Sequence, residues 1–226
     1  SNDFDNVGNN GIEVLSNGNY VVSSPDWGGV VANNSDGLGA ATWGNGLGGT
    51  VGEINTANSL IGSIQGDRVG SRAVQALSDG DYVVLSTEWS SQRGAVTWGN
   101  GNTGVTGVVS SANSLVGQTE GDRAGDDVAS LANGNYVVFT YNYNNAGAVD
   151  AGAVTWGDGT MGTTGVISSS NSLVGTRTDD QVGWQFLETF ADGSSYAIKS
   201  PNFSFEENGV MLTQAGALTI SDGTRP

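Results

Sequence analysis

The 226-residue chain contains no cysteine and no histidine. Those absences remove disulfides, thiol chemistry, the serine triad and most zinc and iron sites, leaving carboxylates as the main candidates for acid-base work. Proline is scarce at 3 residues, and no apolar run approaches the ~20 residues that a spanning helix needs. Lys and Arg number 7 against 23 Asp and Glu, for a formal net charge of -16. Phosphate backbones and anionic lipid would be repelled by such a chain, so neither nucleic acid nor membrane insertion is expected. Acidity favours solubility and is compatible with a hard cation such as calcium. Ser1 opens directly into polar sequence, which fits a mature or excised segment of an extracellular or cell-surface protein.

What is abundant is glycine, at 37 residues, together with Ser, Thr, Asn, Asp and Val, a mixture of turn formers and strand formers. Four markers recur in one order along the chain, which identifies an internal repeat. An Asp-x-x-Gly turn begins at Asp5, Asp67, Asp122 and Asp180. A strand start follows at Tyr20, Tyr82, Tyr136 and Tyr196, spaced 62, 54 and 60 residues apart. A third strand of Gly-Ala-x-Thr type ends in Trp43, Trp98 and Trp156, with Ile220 in the last copy. The first three copies then reach an Asn-Ser-Leu strand at Asn58–Leu60, Asn113–Leu115 and Asn171–Leu173, and the fourth contributes none.

The apolar pattern has the period of half-buried strands, as in Val74 and Ala76 and in the facing Val83 and Leu85, and no helical stripe persists. Asn17-Gly18-Asn19 and Ser78-Asp79-Gly80-Asp81 carry the chemistry of two-residue hairpins. The expected fold is therefore all-β, in four tandem antiparallel meanders over about residues 1–62, 63–117, 118–175 and 176–226, the last lacking its outer strand. A four-stranded unit of this length has the period of a propeller blade. The Trp and Ile220 positions, recurring in register, are expected to pack between blades, and the four Asp residues to cap turns.

The unit resembles the FG-GAP repeat of integrin-type β-propellers, with Gly66-Asp67-Arg68-Val69-Gly70-Ser71 in place of the Phe-Gly turn, Ser24-Pro25 and Ser200-Pro201 in place of Gly-Ala-Pro, and Gly94-Ala95-Val96 as the third strand. The resemblance implies a propeller with the strand after the Asp-x-x-Gly turn innermost and the Asn-Ser-Leu strand outermost. It also implies a calcium loop, which this sequence shortens to forms such as Leu77-Ser78-Asp79-Gly80-Asp81.

A non-enzymatic role is expected. Asp126-Asp127 and Asp179-Asp180 are the available acid pairs for glycoside hydrolysis, but Asp180 occupies the repeated turn position. The Asp67-Arg68 and Asp122-Arg123 pairs read as surface ion pairs. Trp27, Trp89, Tyr141, Tyr143 and Phe203, on the variable loops after the second strand, are the candidate ligand-binding aromatics. Asn33-Asn34-Ser35 and Asn202-Phe203-Ser204 match the glycosylation pattern. An edge without its outer strand is a template for another chain, and Ser1-Asn2-Asp3-Phe4 is a candidate pairing segment. The expected function is self-assembly into an oligomer or polymer, with a glycan- or protein-binding module as the alternative.

Overall fold

The computed structural model describes residues 5–29 and 36–224. The Ser1–Phe4 segment and the Asn33-Asn34-Ser35 sequon lie outside those residues. The first unit forms β1 (Ile12–Val14), β2 (Tyr20–Ser24), β3 (Ala40–Gly44) and β4 (Leu60–Ile61). The second forms β5 (Ala73–Ala76), β6 (Tyr82–Ser86), β7 (Ala95–Gly99), β8 (Gly107–Val108) and β9 (Leu115–Val116). The third repeats this as β10 (Asp127–Ser130), β11 (Tyr136–Thr140), β12 (Ala153–Gly157), β13 (Gly165–Val166) and β14 (Leu173–Val174). The fourth has β15 (Leu187–Thr189), β16 (Tyr196–Ser200) and β19 (Ala217–Ser221), with a separate hairpin, β17 (Phe205–Glu207) and β18 (Val210–Leu212), inserted before β19.

Within each unit the strands pair antiparallel in chain order, as the meander pattern predicts. The turns after β1, β5 and β10 differ from the expected two-residue form. Leu15, Leu77 and Leu131 each donate N–H to the carbonyl four residues on, leaving three residues between the closing pair. Gly18, Gly80 and Gly134 then take positive φ, because a type I turn needs one left-handed residue to rejoin a twisted ladder.

Two pairings have no precedent in the meander pattern. β4 pairs parallel with β8, and β9 pairs parallel with β13, so each outer strand is extended by a two-residue strand from the next unit. No strand pairing among the described residues joins the first unit to the fourth, so no closed propeller is found.

The four sheets pack face to face, giving one apolar core per junction. Val21, Leu60, Tyr82, Val84 and Val109 fill the first, Val83, Leu85, Leu115, Tyr136 and Ile167 the second, and Leu131, Phe139, Val182, Tyr196 and Ile198 the third. This corrects the half-buried reading: β6 and β11 are buried at every position, because a sheet follows on both sides. Tyr82 and Tyr136 lie over cross-strand glycines, and a Cβ at Gly99 would come within 2.2 Å of the Tyr82 ring. Burial pushes both phenols up to about 12, and their hydroxyl oxygens accept from Val105 and Thr163 N–H.

The junctions also bring backbones together. Gly94 sits at φ +77 in a parallel bridge with Ala124, and a Cβ there would be 2.2 Å from Ala124 N. Gly94→Ala is expected to lower stability by at least ~2 kcal/mol in denaturant unfolding. Gly48→Ala, where a Cβ meets nothing within 4 Å, should be close to neutral.

Candidate functional site

Each Asp-x-x-Gly turn is built the same way. The residue after the aspartate takes positive φ in all four copies (Asn6, Arg68, Arg123 and Gln181), as do Gly8, Gly70, Gly125 and Gly183. That shape aims backbone N–H groups of the turn at the preceding unit: Arg68 and Val69 donate to Gly37 and Leu38, and Arg123 and Ala124 to Gln92 and Arg93. The aspartates are buried. One carboxylate oxygen of Asp67 accepts from Ser63 and Ile64 N–H at 2.7 and 3.0 Å, and the other from Ser90 N–H at 2.9 Å. Asp122 accepts from Gln118, Thr119 and Asn144 N–H, and Asp180 from Thr176, Arg177 and Ser204 N–H. Asp5 accepts from Gly28 N–H. The Asp67, Asp122 and Asp180 carboxylates therefore fasten the loop after the second strand to the residues just before the Asp-x-x-Gly turn.

The Trp positions are half-buried between units. Trp43 Nε1 donates to Gly101 O at 3.0 Å, and Trp156 Nε1 to Gly223 O at 3.1 Å, each in the following unit. Asn17 and Asn19 donate to Gly101 O as well, and Asn133 and Asn135 to Gly223 O. The middle junction differs. Asp79 and Asp81 replace the two asparagines, a carboxylate cannot donate, and Trp98 Nε1 is buried with no partner among the described residues. Ile220 is 64% exposed, since no described unit covers it.

The loop aromatics are dispersed, one set per unit. Trp89 and Tyr143 are core residues, the Tyr143 hydroxyl donating to Ile167 O. Phe203 packs on the third core and Trp27 is partly buried. Tyr141 meets the exposed Trp184 edge to face at 5.3 Å, a neighbour the loop reading did not include. Arg68 pairs with Asp26 at 3.0 Å and Arg123 with Asp126 at 3.4 Å, neither with its sequence neighbour. Burial raises the Asp126 carboxyl although Tyr141 N–H and Arg123 bind it. Among the described residues no group of three or more acidic side chains is arranged to hold a metal such as calcium.

What remains open is the outer edge of the fourth unit. A groove of about 420 Å³ runs between β14 and β19, lined by Trp156, Ser172, Leu173, Tyr196, Thr219 and Ser221. Leu173 is 38% exposed there, whereas its equivalents Leu60 and Leu115 are 0% and 1% exposed. The difference lies in Val109 and Ile167, which cover Leu60 and Leu115 from the next unit.

Sheets stacked in sequence, each joined among the described residues to its neighbours through recurring contacts, define an all-β tandem-repeat protein. Residues 14–71, 76–126 and 130–184 each match one family model, described as a repeat of unknown function, DUF5650. The chain belongs to that family. Each match closes just past the next Asp-x-x-Gly turn, so the turn is part of the repeat that precedes it. No curated protein matches the chain.

Two predictions test these contacts. Asp122→Ala strips the acceptor from three backbone N–H groups in a buried site and is expected to cost ~3 kcal/mol or more in equilibrium unfolding. Burial raises the Asp81 carboxyl above its ordinary value, Gly101 N–H opposing this and Asp79 adding to it. The folded chain thus binds the proton better than the unfolded one, and stability falls as pH rises through the raised folded value. Asp81→Asn removes that loss and supplies a donor as Asn19 does. Its unfolding midpoint should exceed the parent's at pH 7, with the gap narrowing toward pH 3.

Proposed function

We propose that this is a non-catalytic structural repeat protein of the extracellular space or cell surface, whose copies associate end to end. The observation that carries this reading is the pair of apolar sheet faces left uncovered at opposite ends. On the rear face of the first unit Ile12 and Val14 are exposed, the latter at 69%. On the forward face of the fourth unit Leu218 and Ile220 are both 64% exposed. Their equivalents in the interior units, such as Val96 and Val154, lie inside cores. The same two kinds of face already mate three times within the chain, so a rear face is built to fit a forward face. Contact between unlike faces is heterologous, and it propagates as a fibre unless the rotation closes a ring.

The propeller-like course belongs to the same proposal. The repeat length, the meander order and the face-to-face sheets support it, and further units from neighbouring copies would complete it. A second reading, a glycan- or protein-binding module, is favoured by the exposed Trp184 resting on the half-buried Tyr141, since edge-to-face aromatics offer an apolar platform.

Light scattering and negative-stain electron microscopy across a concentration series test the first reading. Mass should grow with concentration, and Val14→Glu or Leu218→Glu should each arrest growth. A mixture of those two variants should stop at dimers, because one good face remains on each. A 23.0 kDa monomer at every concentration would leave the binding module as the reading.

A further inference from the structure

We infer that the groove between β14 and β19 is a docking site for one strand–turn–strand segment, supplied in trans by a polypeptide carrying the repeat's own sequence, Gly-Val-Val/Ile-Ser-Ser-x-Asn-Ser-Leu-Val-Gly. The inference rests on the reading of this protein as one that works by association, and it names the partner of a different surface from the stacked faces.

The occupant is defined by how the equivalent places are filled inside the chain. In the second unit Gly107 N–H donates to Ser59 O at 3.0 Å and Val109 N–H to Ile61 O at 3.1 Å. In the third, Gly165 N–H donates to Ser114 O and Ile167 N–H to Val116 O. The next carbonyls in that series are those of Ser172 and Val174, and among the described residues no donor from a following strand reaches them. The β-branched side chains at these positions, Val109 and Ile167, are buried in the cores beside Leu60 and Leu115. The groove offers that same place beside the exposed Leu173.

The serine of each Asn-Ser-Leu segment bonds a threonine on the neighbouring strand, at 2.7 Å in all three pairs: Thr42 with Ser59, Thr97 with Ser114 and Thr155 with Ser172. Thr219 is the fourth threonine of that register, paired across from Ile198 as Thr155 is from Val138. No serine of that kind stands beside it among the described residues. Finally, β9 pairs antiparallel with Ala95 and Val96, and β14 with Ala153 and Val154. Ala217 and Leu218 hold the corresponding register on β19, whose outer edge pairs with no strand among the described residues. Two parallel main-chain bonds, one branched side chain, one hydroxyl pair and a short antiparallel ladder thus select one kind of ligand. It is neutral and carries all these groups in 11 residues, as two short strands joined by the turn at Ser110–Asn113, in the manner of Gly107–Gly117.

The test uses the whole chain and a synthetic peptide of the Gly107–Gly117 sequence, titrated by calorimetry, with amide hydrogen exchange to place it. The expected result is saturable 1:1 binding that slows exchange at residues 172–175 and 217–221. Affinity should fall at least tenfold when the peptide carries Val109→Asp, or when the chain carries Leu173→Asp with its circular dichroism unchanged. Thr219→Val in the chain should weaken binding without abolishing it. No saturable binding at millimolar peptide, equal binding of a scrambled peptide, or protection confined to other residues would overturn the inference. Light scattering on the same samples separates the two ideas. Peptide binding by a monomer would remove end-to-end association alone, and fibres that ignore the peptide would remove strand docking alone.

Discussion

A buried carboxylate that receives backbone N–H groups from two separate loops is the contact on which each unit depends. Short strands held by glycine-rich turns have little intrinsic stiffness, and a two-residue strand such as β4 cannot set its own register. The Asp67, Asp122 and Asp180 side chains set it instead, by satisfying amides just before the entering turn and of the loop after the second strand together. Burying an ion is unfavourable unless its hydrogen bonds are made, so the carboxylate and the loops enforce each other. Because the same turn donates its own N–H groups to the preceding unit, local closure and junction formation are one event.

That coupling makes the chain one-dimensional in its energetics. The cores lie between sheets rather than within them, so an interior sheet gains stability from both neighbours and a terminal sheet from one. The junctions are not equal. Asparagine and tryptophan donors converge on one carbonyl at the first and third, while the second has aspartates in place of the asparagines and a tryptophan Nε1 with no partner among the described residues. The second junction offsets this with the continuous core from Leu85 to Ile167, in which both partner sheets are buried.

Much of this was legible in the residues. The repeat, the strand order, the turn aspartates and the placement of tryptophan between units follow from recurrence in register, since a residue used once per unit must do the same job in each. The rest was not, for physical reasons. Val-Val-Leu in β6 and Val-Val-Phe in β11 carry no alternation, and only a sheet on either side explains it. β8 and β13 are two residues long and begin in glycine, too short for any period to register. Trp89 and Tyr143 sit in loops of variable sequence, yet fold inward because the next segment of their unit supplies a core, and for Tyr143 a carbonyl, to meet them. Among the described residues the β17 and β18 hairpin pairs with no other strand, so no repeat marker announced it.

The forward face of the fourth unit combines two opposing demands. Leu218 and Ile220 would each contribute roughly 1.5–3 kcal/mol if covered. On the same face Lys199 and Glu188 form a 2.7 Å ion pair, and drying a charge costs several kcal/mol when nothing replaces its water. The first junction shows how the fold resolves an acid at that place. Glu13, in the register position that Glu188 holds, accepts Ala76 N–H of the following unit at 3.2 Å. In an incoming first unit the equivalent donor is Val14 N–H, on the face opposite Tyr20 as Ala76 is opposite Tyr82. In the association proposed, a contact of the kind already present inside the chain would cover the two apolar side chains and would bring Glu188 an amide in exchange for water. Lys199, on the middle strand β16 and less exposed than Glu188, would need its own replacement for water in such a contact.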